Sequence, residues 1–260
     1  MEESVRFSNN ETRSKQSQSP VSLSSSKFIG KVFLYTAGAL LISAVVAAVI
    51  GIIFSTAITP NYKYTEFVLD VEKMKPYIGL LIGSLIAYFP LIIWINVVSF
   101  RGKGNMVVPF VLYAIVMGVL ISSFTMFVPI PVIAISFGIT CVVFGLLSLI
   151  GLTAKKDISF LGLVALGILG GALLVALFNL IWSLVFPGSF QMLYWLVSYA
   201  IFFAMMLITI VDVYRIKRIA QAGEGSNNIA LYCAFNLYVD FIYIFLRVLL
   251  IVARIFGKSR

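Results

Sequence analysis

No histidine occurs anywhere in the 260 residues. That removes imidazole acid–base chemistry and most zinc and haem ligation at once. Charge is scarce as well. Asp, Glu, Lys and Arg together make up 11% of the chain, against about 25% in a soluble domain. Cysteine is limited to Cys141 and Cys233, both inside apolar runs. The pair argues against a disulfide framework or a metal site, and both residues are expected to be buried small hydrophobes. The period-two alternation of a membrane barrel is missing. The first 27 residues hold no apolar core segment, so no cleaved secretory signal is expected and the first apolar run is expected to act as a signal-anchor.

What is present is apolar. Hydrophobic residues account for 61% of the chain and fall into runs long enough to cross a bilayer, which takes about 20 residues. The runs are Val32–Ile58, Ile78–Phe100, Met106–Phe127, Val132–Leu152, Phe160–Phe186, Phe190–Tyr214 and Ile229–Phe256. The expected fold class is therefore all-α: a polytopic transmembrane helical bundle of seven helices. Residues 1–31 are polar and Ser-rich and cannot bury enough apolar surface to fold alone, so a disordered cytoplasmic tail is expected there. Residues 32–260 are expected to form one transmembrane domain. Gly162, Gly167, Gly170 and Gly171 in the fifth run are expected to let a neighbouring helix approach closely. The loop Arg215–Asn228 contains the turn-rich sequence AGEGSNN.

The net charge of +9 is explained by Lys and Arg flanking membrane segments, so nucleic acid is not an expected partner and the lipid bilayer is. With the N-terminus in the cytoplasm, the inner side collects twelve Lys and Arg and the first three outer loops collect three. This supports a cytoplasmic N-terminus. Seven crossings would place Arg254, Lys258 and Arg260 outside, so the side of the C-terminus stays open.

The seventh run departs from the rest. It carries Asp240 near its middle, about 16 Å along a helix that starts at Ile229. A charge at that depth costs roughly 3 kcal/mol or more and needs a partner or a wet cavity. At about 100° per residue, Cys233, Asn236, Asp240, Arg247 and Arg254 share one stripe. A polar stripe on an apolar helix should face the bundle interior, which makes this helix the central one. Asp212, at the end of the sixth run, is the only other acid inside an apolar segment. Two readings of it stand: an interfacial ion pair with Arg215 at i,i+3, or a partner for Asp240. Asp240 likewise reads either as hydrogen-bonded structural glue or as an ion- or proton-handling group. Two carboxylates forced together in a poor solvent share a proton, and such a pair titrates near neutral pH.

Several local patterns, in this order, resemble the Bax-inhibitor-motif (TMBIM) family of seven-helix membrane proteins. Phe137-Gly138-Ile139-Thr140 through Phe144 to Lys155-Lys156-Asp157-Ile158-Ser159-Phe160 is similar to the family's fourth-helix motif and its charged exit. Phe178-Asn179 and Ile210-Val211-Asp212 resemble its fifth- and sixth-helix marks. Leu237-Tyr238-Val239-Asp240-Phe241-Ile242 with Phe245-Leu246 resembles its signature. The likeness runs from the first apolar run to the C-terminus, leaving out the tail and the long first loop.

The resemblance implies a pH-sensitive calcium leak in which Asp212 and Asp240 sense protons and hold Ca²⁺ transiently. It implies a closed-state lock by an arginine at the cytoplasmic end of the second helix. Arg101 matches that position, with Lys103 close by, and Asn236 and Arg247 support the polar stripe. Ca²⁺ is then the transported ion, protons the regulator, and no cofactor is implied. The implied location is a bacterial plasma membrane or, in a eukaryote, the endoplasmic reticulum. The alternative is a non-conducting regulator that docks a membrane protease or a stress or cell-death partner. An intramembrane aspartyl protease also places one Asp on each of two consecutive helices. Its YD and GxGD contexts are absent here, where the sequence reads Ile-Val-Asp212 and Tyr-Val-Asp240, so no enzyme is expected. A coupled transporter lacks the internal repeat it would need.

Overall fold

The computed structural model describes residues 20–55, 58–61, 66–69, 71–101, 104–185, 191–223 and 226–257. Seven helices follow one another: α1 (Pro20–Ser55), α2 (Val71–Arg101), α3 (Val107–Phe127), α4 (Ile130–Thr153), α5 (Ser159–Val185), α6 (Gln191–Ala222) and α7 (Asn227–Gly257). The loop after α1 adds a short antiparallel hairpin, β1 (Ile58–Asn61) and β2 (Glu66–Leu69), with Ile58 opposite Leu69 and Asn61 opposite Glu66. The architecture is the expected helical bundle, and the hairpin is an addition to it. Among the described residues, α1 to α6 are each long and apolar enough to cross a membrane.

Burial explains why α7 stands apart from those six. Large apolar side chains on α1 to α6 point outward; Ile52, Ile86, Val142, Leu163 and Leu196 are examples. In water that would be a gross exposure of apolar surface, and in lipid it is the proper outer face. By contrast, α7 buries most of its side chains, including Leu237, Tyr238, Ile244 and Leu249, and exposes only a few such as Tyr243 and Leu250. It packs against α1, α4 and α6 and also touches α2 and α3, while α5 packs outside on α6. Aromatic rings fill the space around it. Phe110 and Tyr113 of α3 meet Phe235 and Tyr238 edge-on, and Phe137 and Phe144 of α4 meet Phe241. The Tyr238 hydroxyl shares a 2.6 Å hydrogen bond with Ser43 of α1, whose Oγ lies 2.7 Å from the Ala114 carbonyl oxygen of α3. A buried phenol thus finds a polar partner where lipid and core offer none.

Two helix ends differ from the expected ones. First, α1 begins at Pro20, so the expected division at residue 31 falls inside a helix. Phe28 and Val32 are buried, and the Ser25 hydroxyl donates to the Ala220 carbonyl at 2.8 Å. One turn of apolar anchoring holds a polar stretch that hydropathy alone marks as tail. Second, α6 continues through Arg215-Ile216-Lys217-Arg218-Ile219-Ala220 to Ala222 rather than stopping near Tyr214. These residues are good helix formers, and Ile216 and Ala220 are buried. Gly223, at φ 75°, closes the helix in the left-handed conformation that glycine adopts cheaply.

Of the four expected glycines only Gly162 lies against a neighbouring helix, and tighter approaches occur elsewhere. A Cβ at Gly118 of α3 would lie 2.8 Å from the Ser43 carbonyl oxygen of α1. One at Gly151 of α4 would lie 2.7 Å from the Ile210 carbonyl oxygen of α6 and 2.9 Å from Val213 Cβ. In α5 only Gly162 faces α6, alongside the buried Ala165 and Ala172, whereas Gly167, Gly170 and Gly171 would meet nothing within 4 Å. Cys141 also departs from expectation: it is exposed on the outer face of α4, while Cys233 is buried. Between α1 and α3 on one side and α4 on the other lies an apolar cavity of ≈ 550 Å³, with Phe241, Ile242 and Phe245 of α7 at its back.

Gly151→Ala and Gly118→Ala should each destabilise the bundle by about 1–3 kcal/mol, because the added methyl meets backbone that cannot rotate away. Gly170→Ala, pointing outward, should not. Thermal unfolding in detergent checks this, and equal effects at Gly151 and Gly170 would contradict the packing described.

Candidate functional site

The stripe on α7 faces α6 along its whole length. The two helices run antiparallel, so successive polar residues of α7 meet successively earlier residues of α6. Cys233 and Asp240 both lie within electrostatic range of Asp212. The Asp240 carboxyl is within hydrogen-bonding reach of the Thr209 side chain. Farther along, Arg247 donates to the Ser198 hydroxyl, and Arg254 sits over the Trp195 ring, 3.3 Å from its centroid. The α6–α7 seam is thus acidic in one half and cationic in the other. Asp240 and Arg247 are seven residues apart, about 10 Å along the axis.

Asp240 is 4% exposed, and its Oδ2 has no hydrogen-bond partner. An unmatched buried polar atom normally costs about 1–3 kcal/mol, which makes such an atom unusual. Thr209 is fully buried, and its hydroxyl lies 2.9 Å from the Met205 carbonyl oxygen of its own helix. Asp212 is partly open, with its side chain 15% exposed. It accepts from Arg215 Nη1 at 3.3 Å in an i,i+3 ion pair, and the Arg215 side chain is 63% exposed. Asp212 therefore pairs with Arg215 and also lies within electrostatic range of Asp240. The ion pair is weak, of the order of a few tenths of a kcal/mol at such a surface position. Because α6 runs ten residues beyond Asp212, this carboxylate sits inside the helix and not at its end.

Asn236 is half-buried on the same stripe. Arg101 is the last residue of α2, and its side chain lies outside the described residues, as does all of Lys103. Among the described residues, no group of three or more Asp, Glu, Cys or His could hold a metal ion. Thr209 was missed from sequence, although its i,i+3 spacing to Asp212 places both on the α7-facing side of α6.

The end of the bundle that carries Asp212 is tied together by polar contacts. Lys217 Nζ donates to the Ala154 carbonyl at 2.9 Å, Asn228 to the Gly104 carbonyl at 3.0 Å, and the Tyr35 hydroxyl to Asn227 at 3.0 Å. Asp157 accepts from the Ser159 backbone N–H at 2.9 Å at the start of α5, and Arg218 Nη1 lies 3.6 Å from its other oxygen. The Ser159 hydroxyl, then its N–H, then the Arg218 charge hold the exposed Asp157 carboxyl below its usual range.

A group depressed on folding contributes stability above its unfolded value, about 3.9 for Asp, and loses it as pH falls through the folded value. Asp157→Ala should therefore lower the unfolding temperature slightly at pH 7. The difference from wild type should shrink as pH falls through the lowered folded value and close once the carboxylate is neutral in both states. A gap that persists unchanged at low pH would show that the ionised form of Asp157 contributes nothing.

Comparison with known proteins adds a family and a relative. Residues 25–259 match the family model described as inhibitor of apoptosis-promoting Bax1. The chain is 31% identical over 186 residues to the inner membrane protein YbhL of Escherichia coli strain K12, covering 69% of this chain and 75% of that one. The same match is found with YbhL of Escherichia coli O6:H1.

Proposed function

This chain belongs to the Bax1-inhibitor family of integral multi-pass membrane proteins, and we propose that it is a pH-sensitive path for Ca²⁺ leak in which Asp212 and Asp240 sense protons. The observation that carries this reading is the Asp240 carboxyl, buried in the central helix beside a second carboxylate and left with an unpartnered oxygen. Structural glue would be expected to satisfy its hydrogen bonds. Thr209 has a single hydroxyl hydrogen. If that hydrogen goes to the Met205 carbonyl, the contact with Asp240 closes only when Asp240 carries the proton and donates it. Losing that proton would break the contact and place a second negative charge beside Asp212, which favours rearrangement or cation entry.

Ca²⁺ is a hard cation that takes six to eight oxygen ligands. Two carboxylates supply too few for storage, which suits passage. The basic end, with Arg215, Lys217 and Arg218 on α6, is proposed to face the cytoplasm with the N-terminus. Arg101 is proposed as the closed-state lock from its place at the end of α2. The rival reading, a docking regulator without flux, draws on the family's descriptive name alone. Calcium flux in vesicles holding only this protein separates the two.

In such vesicles, Asp240→Asn should weaken Ca²⁺ flux and flatten its response to pH, because one member of the carboxylate pair is gone. Asp212→Asn should do the same, and the double variant should be little worse than either, as for residues acting as one unit. Undiminished pH-dependent flux in Asp240→Asn would end the proposal.

A second set of variants concerns the lock. Arg101→Ala should raise the resting leak and Lys103→Ala should not. The reverse result would move the lock by two residues, and no change in either would remove it.

A further inference from the structure

The cationic half of the α6–α7 seam has no part in that proposal, since guanidinium groups are a poor lining for a cation path. Arg247 and Arg254 lie two turns apart on one face of α7. No carboxylate pairs with either among the described residues. Their heads are nevertheless held in place. Arg247 is tied to Ser198, and Arg254 is stacked on Trp195. Between them a cavity of ≈ 190 Å³ opens, walled by Trp195, Tyr199, Phe202 and the two arginines. That is several times the roughly 30 Å³ that one water occupies. Trp195 lies one turn after the start of α6 at Gln191, so the cleft sits near that end of the helix, and Trp and Tyr are the residues that favour the membrane–water interface.

We propose that this cleft binds a phosphate ester, supplied by the headgroup of an anionic membrane lipid. Guanidinium groups offer parallel donors that match phosphate oxygens, and at the interface such bonds are charge-assisted. Arginines that merely snorkelled would send their heads outward along separate paths. Here both heads rest against α6, Arg247 on Ser198 and Arg254 on Trp195, and both line the same cleft. Phe202 and Tyr199 supply an apolar wall for the start of an acyl chain, which a free phosphate ion would not use. The site stands independently of the calcium-leak reading.

The test uses the full chain in a neutral detergent, with thermal unfolding and native mass spectrometry as readouts. Phosphatidylglycerol should raise the unfolding midpoint and appear as a retained adduct, whereas phosphatidylcholine should do neither. Arg254→Gln, at an exposed position, should fold normally and lose most of the adduct. Arg247→Gln should lose it too, and Arg247→Lys should restore it in part. Inorganic phosphate is the control for the source. An arginine-dependent rise with phosphate ion and none with phosphatidylglycerol would overturn the lipid assignment. Equal retention of both lipids, or retention unchanged in Arg254→Gln, would overturn the site.

Discussion

A carboxyl group held out of water in the middle of an apolar bundle sets the terms for everything around it. Asp240 sits on α7, the helix that buries most of its side chains. Lipid could not have accommodated it, because the charged or half-satisfied group would have no compensation in hydrocarbon. Its helix must therefore be wrapped by others, and α1, α4 and α6 do the wrapping. The aromatic girdle of Phe110, Tyr113, Phe137 and Phe144 fills the remaining space with large rigid side chains that tolerate little rearrangement.

Charge along the α6–α7 seam is sorted by position. The two aspartates lie toward the end where Arg215, Lys217 and Arg218 project, and the two arginines lie toward the other end. Asp240 and Arg247 share a stripe without pairing. A direct salt bridge between them would have neutralised both, and the two-turn spacing prevents it. The seam thus carries an acidic half and a cationic half in one helix pair.

Much of this was legible from residue types alone. A mid-run aspartate with polar neighbours at helical spacing leads to a central α7, and the i,i+3 spacing leads to the Asp212–Arg215 pair. Other features were hidden because they depend on partners. The helical turns beyond Tyr214 look like a charged loop to a hydropathy reading, since the burial of Ile216 and Ala220 that holds them is tertiary. The stripe of glycines in α5 advertises close approach without saying which face has a neighbour. Gly118 and Gly151, each without a companion stripe, make the tight contacts instead. The matching of Ser198 with Arg247 depends on the relative register of two helices, which neither sequence segment contains.

The two tight glycine contacts have a mechanical consequence. At Gly118 and at Gly151 the neighbouring helix comes so close that its carbonyl oxygen and a valine occupy the space a side chain would need, so α1 with α3 and α4 with α6 form two closely packed couples. The apolar cavity occupies the space between them, where there is no contact to lose when the walls separate. At the basic end, Ser25 fastens α1 to Ala220 of α6 and bridges the couples like a pivot. The couples are thus fastened at the basic end and separated by the cavity toward the other, with α7 lying between them.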